Sequence, residues 1–88
     1  MIADDHAGIR LLYIALLTQA GHEIISETDN GIDTLISYIQ MSPDLLIIDN
    51  NIGKMKGIDI VRQIFCEFDN SAIIMCTAEA EEISQEAY

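Results

Sequence analysis

The chain has 88 residues, half of them hydrophobic, with 15 Asp plus Glu against 4 Lys plus Arg and a formal net charge of −11. This is one small domain, rich enough in Ile, Leu and Val to pack a core and too apolar for a disordered segment. Four scattered cations cannot neutralise a nucleic-acid backbone or an anionic bilayer, so both are argued against as partners; the acidity favours cations, metal ions and basic proteins.

Met1-Ile2-Ala3 is a short first strand, and Asp4-Asp5 follows it. Ile9, Leu12, Tyr13, Leu16, Leu17 and Ala20 keep helical spacing and predict an amphipathic helix that faces inward through these residues and ends at Gly21. Glu23-Ile24-Ile25-Ser26 reads as a short strand with polar ends, suited to a sheet edge. Asn30 can cap a second helix with an inner face of Ile32, Leu35, Ile36 and Ile39, which must stop before Pro43. Leu45 to Ile48 is a continuous apolar run, the pattern of a parallel strand covered on both faces. Asp49 to Lys56 is polar, carries Gly53 and reads as a loop. Gly57 to Phe68 predicts a third helix, with Ile58, Val61, Phe65 and Phe68 inward and Ile60 and Ile64 widening the stripe. Ala72 to Cys76 is a second buried strand, and Glu79 to Tyr88 opens a last helix with acids at its positive end.

Strands and helices therefore alternate, which predicts an α/β domain with a doubly wound parallel sheet and helices on both faces. Ligands bind such sheets at the carboxyl ends of the strands, near the point where strand order reverses. Asp4-Asp5, Asp49 and Thr77 each follow a strand, so three carboxylates and a hydroxyl should meet in one pocket. Crowded carboxylates repel unless a cation joins them, and a hard divalent ion such as Mg²⁺ takes oxygen ligands. One carboxylate could also act as a nucleophile towards a phosphoryl group. Capping a helix is the lesser alternative for Asp4 or Asp5 and for Thr77, and His6 reads as a solvent-facing loop residue. Cys66 and Cys76 form no CxxC motif and read as small buried hydrophobes in a reducing compartment. The start of the chain lacks the pattern of a signal peptide, and a cytoplasmic location is expected.

Three segments carry a resemblance: Asp4-Asp5, Ile47 to Gly57 around Asp49, and Ile73-Ile74-Met75-Cys76-Thr77-Ala78. Together, in this order and spacing, they resemble the receiver domain of response regulators in two-component signal transduction. The resemblance spans residues 1–88 and implies a flavodoxin-like fold, with Asp49 as phosphoacceptor and Mg²⁺ as cofactor. It implies that Asp4, Asp5, Asp49 and the backbone carbonyl of Asn51 hold the metal, that Thr77 is the switch hydroxyl, and that Ala78 leaves room for the phosphoryl group. Met55 and Gly57 match the pattern at the pocket rim. The implied partners are a sensor histidine kinase or phosphotransfer protein, with an output domain or a receiver dimer partner also in view. The implied role is a phosphorylation-switched phosphoprotein rather than a turnover enzyme; the alternative is a pseudo-receiver that acts only as an interaction module.

Three residues depart from the family pattern. Gly53 stands where Pro is usual, implying a more mobile loop; Lys56 stands where Asp or Asn is common; Asn50 replaces an apolar residue. The family also has a fifth strand carrying a Lys, then a fifth helix. The chain as read stops at Tyr88, so the fold is expected to be incomplete at its C-terminus and the last strand to present an exposed apolar edge.

Overall fold

The structure is a computed structural model and describes residues 1–68 and 72–76. The elements in chain order are β1 (Ile2–Ala3), α1 (Ala7–Gln19), β2 (Glu27–Thr28), α2 (Gly31–Met41), β3 (Leu46–Asp49), β4 (Asn51–Ile52), β5 (Met55–Lys56), α3 (Gly57–Glu67) and β6 (Ile73–Cys76). Strands β2-β1-β3-β6 form one parallel sheet in that order, and β4-β5 is a separate antiparallel pair. The expected α/β sheet is thus observed. The expected last helix lies outside the described residues.

Strand order explains where the helices lie. The chain moves one way from β1 to β2, then back across the sheet to β3 and β6. Right-handed crossovers therefore put α1 on one face and α2 with α3 on the other. The core sits on the α2/α3 face, where Ala3, Ile48 and Met75 pack with Ile52, Ile60, Val61 and Ile64. Each fully buried aliphatic side chain there contributes about 1.5–3 kcal/mol of transfer free energy.

Several faces differ from expectation. In α1 no residue is buried; Arg10, Tyr13, Ile14 and Leu17 are half-buried against the sheet, while Ile9, Leu12, Leu16 and Ala20 are exposed. Nearly every position from Ile9 to Leu17 is apolar, so periodicity could not choose among faces. In α2 the core side is Gly31, Thr34 and Tyr38, while Ile32, Ile36 and Ile39 are exposed and Leu35 is half-buried. Thr34 is fully buried because it loses no hydrogen bond: its Oγ1 donates to the Asn30 carbonyl at 2.7 Å and lies 2.7 Å from Thr28 Oγ1. In α3 the centre of the buried stripe is Ile60, Val61 and Ile64; Ile58 and Phe68 are half-buried and Phe65 is exposed. The Phe68 ring meets Tyr38 edge-on, centroids 5.5 Å apart.

Other boundaries moved by a few residues. The second strand is Glu27–Thr28 rather than 23–26, because Ser26 accepts from the Ile2 amide and ladder pairing starts there. Asn30 caps α2 as expected, accepting from the Asp33 amide at 2.9 Å. That helix ends at Met41, with Ser42 in the left-handed region at φ 44°. Cys66 is exposed and Cys76 half-buried, so neither is the buried hydrophobe expected; Cys66 lies off the inward stripe of α3.

Candidate functional site

The site lies at the carboxyl ends of β1 and β3, neighbours in the sheet where the chain reverses its direction of travel. Asp4 continues β1, its amide donating to the Thr28 carbonyl at 3.0 Å. Its buried side chain turns back, Oδ1 accepting from the His6 amide at 2.8 Å, which starts α1. Arg10 braces this corner, donating from Nη1 to the Asp4 carbonyl at 2.7 Å and from Nε to Glu27 Oε1 at 3.1 Å. Asp5 is exposed and accepts from the Gly53 amide at 3.2 Å.

Asp49 ends β3, half-buried, opposite Cys76 in the register with β6. The segment after it is not a plain loop. Asn51–Ile52 and Met55–Lys56 close a small hairpin around Gly53, whose φ of 63° suits glycine. Ile52 anchors the hairpin in the core. The replacement of Pro by Gly at position 53 thus supplies an amide that holds Asp5, which the sequence did not suggest. At Gly57 a Cβ would overlap the Asp49 carbonyl, so only glycine lets α3 start this close to the site.

Asp4, Asp5, His6 and Asp49 each offer one ligand atom within 4.8 Å of the others. Burial is the main reason the Asp49 carboxyl is held above its ordinary pKa; the Asp4 charge adds to it, and the backbone amides of Asn50 and Asn51 work against it. The His6 imidazole is pushed up, first by its hydrogen bond to Asp4 and then by the Asp5 charge. Its Nδ1 lies 3.1 Å from Asp4 Oδ1 and 2.9 Å from Asp5 Oδ1. His6 is therefore both exposed and part of the acidic cluster, where sequence reasoning placed it only in solvent. The signal was its adjacency to Asp5, which becomes meaningful only once the turn at Asp4 folds the chain back.

Asp4, Asp5 and Asp49 are brought together as predicted. Asn51 opens β4 two residues past Asp49, and its side-chain Oδ1 accepts from Lys56 Nζ at 3.3 Å. Lys54 and Lys56 are exposed. Thr77 and Ala78 lie outside the described residues. The donor set fits a hard divalent cation: three carboxylates supply oxygens, and the single nitrogen donor of the cluster is already engaged by two of them.

An acidic cluster at the switch point of a parallel α/β sheet defines the class: a doubly wound α/β domain with its candidate ligand site at the carboxyl ends of the strands. The Response regulator receiver domain family matches residues 1–88, and the chain belongs to that family. The chain is 32% identical over 82 residues to the chemotaxis protein CheY of Thermotoga maritima, covering 93% of this chain and 68% of that protein. A crystal structure of the CheX–CheY–BeF3–Mg complex from Borrelia burgdorferi matches with a TM-score of 0.83 and 28% identity, over 88% of this chain and 59% of that one. The receiver domain of the response regulator NarL from Mycobacterium tuberculosis shares the fold, with a TM-score of 0.84 at 21% identity over 92% of this chain and 66% of that one. Among the described residues, no helix is long and apolar enough to cross a membrane.

Proposed function

We propose that the chain is a phosphoacceptor receiver module, taking a phosphoryl group onto Asp49 from the phosphohistidine of a sensor kinase or phosphotransfer protein in the cytoplasm. The observation that carries this reading is the convergence of Asp4, Asp5 and Asp49 from two neighbouring strand ends. Mg²⁺ would be held by Asp4, Asp5, Asp49 and the Asn51 carbonyl, and when bound it offsets negative charge on the phosphoryl oxygens. An Asp49 carboxylate oxygen bonds phosphorus as the donor's N–P bond breaks, and the leaving imidazole nitrogen keeps the electron pair. Gly57 and the hairpin fix where Asp49 sits, so little reorganisation precedes the transfer. In this reading Thr77 is the switch hydroxyl and Ala78 leaves room beside it. The chain modifies itself once per cycle rather than turning over a substrate.

Gly53 and Lys56 favour a second reading, a pseudo-receiver that binds partners without phosphorylation. Intact-mass spectrometry separates the two. Acetyl phosphate with Mg²⁺ should add one phosphoryl group to the full-length protein, and Asp49→Asn should abolish it. Equal labelling of the variant refutes Asp49, and no labelling of either with no Mg²⁺ binding supports the pseudo-receiver.

A further inference from the structure

Of the inner stripe predicted for α2, Ile32, Leu35, Ile36 and Ile39, only Leu35 packs against the core. Ile32, Ile36 and Ile39 are 64%, 48% and 53% exposed. Two features favour this orientation. Thr34 is tied to Thr28 and to the Asn30 carbonyl, and Gly31 lies so close to Met55 Sδ and Ile60 Cδ1 that a Cβ would collide with both. Turning α2 to hide its isoleucines would break these bonds and push a bulkier face against Met55. The stripe is therefore a stable property of the folded surface, and a contiguous apolar surface of this kind marks an interaction site.

The stripe runs about two helical turns, roughly 10 Å. On one side it continues into the groove between α2 and α3, where Leu35 and Ile39 meet Ile64 and Phe68. Acids flank it: Asp29 and Asp33 at the amino end and Glu67 along the groove. Helix α2 has no Lys, Arg or His. The nearby Arg10 is committed to Glu27 and the Asp4 carbonyl. A second copy would oppose this acidic rim with its own, at a net charge of −11 each, and an anionic bilayer would be repelled likewise.

We infer that the outward face of α2 docks an amphipathic helix of another protein, one that sets aliphatic side chains against Ile32, Ile36 and Ile39 and Lys or Arg against Asp29, Asp33 and Glu67. Two turns of a helix lying along the stripe fill it, with anchors at i, i+3, i+4 and i+7. The surface is distinct from the Asp4, Asp5 and Asp49 cluster, so this holds whether or not Asp49 is phosphorylated.

The test uses the full-length protein and a synthetic helix with leucines at i, i+3, i+4 and i+7 and lysines on both flanks. A scrambled peptide of the same composition is the control. The ordered peptide should bind, weaken with salt, and shift backbone amide resonances in α2 and along the facing edge of α3. Ile32→Ser with Ile36→Ser should weaken binding about tenfold or more, as for anchors at the centre of an interface. Leu12→Ser, on the exposed part of α1, should leave it unchanged. Ile36→Lys alone serves if the double variant fails to fold, and should weaken binding by placing like charges together. Equal binding of the scrambled peptide, indifference to the isoleucine changes, or resonance shifts centred on α1 would overturn the inference. So would self-association, or binding to anionic vesicles, that Ile36→Lys abolishes.

Discussion

The two faces of the sheet are built differently. Under α2 and α3, Ala3, Ile48 and Met75 are all buried. On the α1 face the residues in register, Ile2, Ile47 and Ile74, emerge across the sheet from 1% to 7% to 40% exposed. The closed face carries the packing energy, and it also carries the site: Ile48 precedes Asp49, Ile52 pins the hairpin, and Gly57 lets α3 begin against the Asp49 carbonyl. The α1 face buries Ile2 and Ile47 but leaves Ile74 open, and it touches the site through polar contacts from Arg10 to the Asp4 carbonyl and from Tyr13 to Cys76, the register partner of Asp49. One face fixes the geometry and the other adjusts it.

Core truncation should separate the faces most sharply. Ile60→Ala should destabilise the protein by about 2–5 kcal/mol in urea denaturation, and Gly57→Ala by a comparable amount through its backbone overlap. Leu12→Ala should stay within about 0.5 kcal/mol. Similar losses on both faces would show that α1 packs as tightly on the sheet as α2 and α3 do.

A smaller effect is expected at the site itself. Burial and the Asp4 charge raise the Asp49 pKa above 3.8, so the folded state holds the proton more tightly than the unfolded one. Stability from this group is full below the unfolded value and is lost as pH rises through the folded value. At neutral pH the ionised carboxylate therefore opposes folding. Asp49→Asn should raise the melting temperature of metal-free protein by about 2–4 °C near pH 7, the gain shrinking towards about pH 4. Mg²⁺ should raise the melting temperature of the parent and not of the variant. A variant less stable than its parent at both pH values would mean that Asp49 is not strained by its neighbours.

The smallest effect lies on the α1 face. The Tyr13 phenol is pushed up to about 12, first by its hydrogen bond to Cys76 and then by burial. Tyr13→Phe should cost about 0.5–1 kcal/mol at neutral pH. That difference is present below the unfolded value near 10 and should fade as pH rises through about 12. A loss as large as that of Ile60→Ala would show that α1 is structural rather than adjusting.

The same contrast explains what the sequence made legible. Buried parallel strands read well because Leu46-Ile47-Ile48 and Ile73 to Cys76 are continuous apolar runs between polar punctuation. The acids at their ends followed from topology alone. Helix faces read poorly where the apolar pattern was redundant, as in α1, or where a hydrogen-bonded threonine displaced isoleucines from the core, as at Thr34 in α2. Tyr38 lies outside the stripe that spacing predicts for α2 and is buried because its ring is held by Phe68, thirty residues away in sequence. The joining of His6 to the acids, and the Gly53 amide on Asp5, depend on turn geometry that residue spacing does not encode.

Locating the phosphoryl group tests the proposed role of Asp49. The full-length protein would be treated with acetyl phosphate and Mg²⁺ and then with borohydride, which reduces an aspartyl phosphate to homoserine, and mapped by peptide mass spectrometry. Homoserine is expected at position 49 and at no other carboxylate. Homoserine at Asp4 or Asp5, or labelling that survives Asp49→Asn, would contradict it.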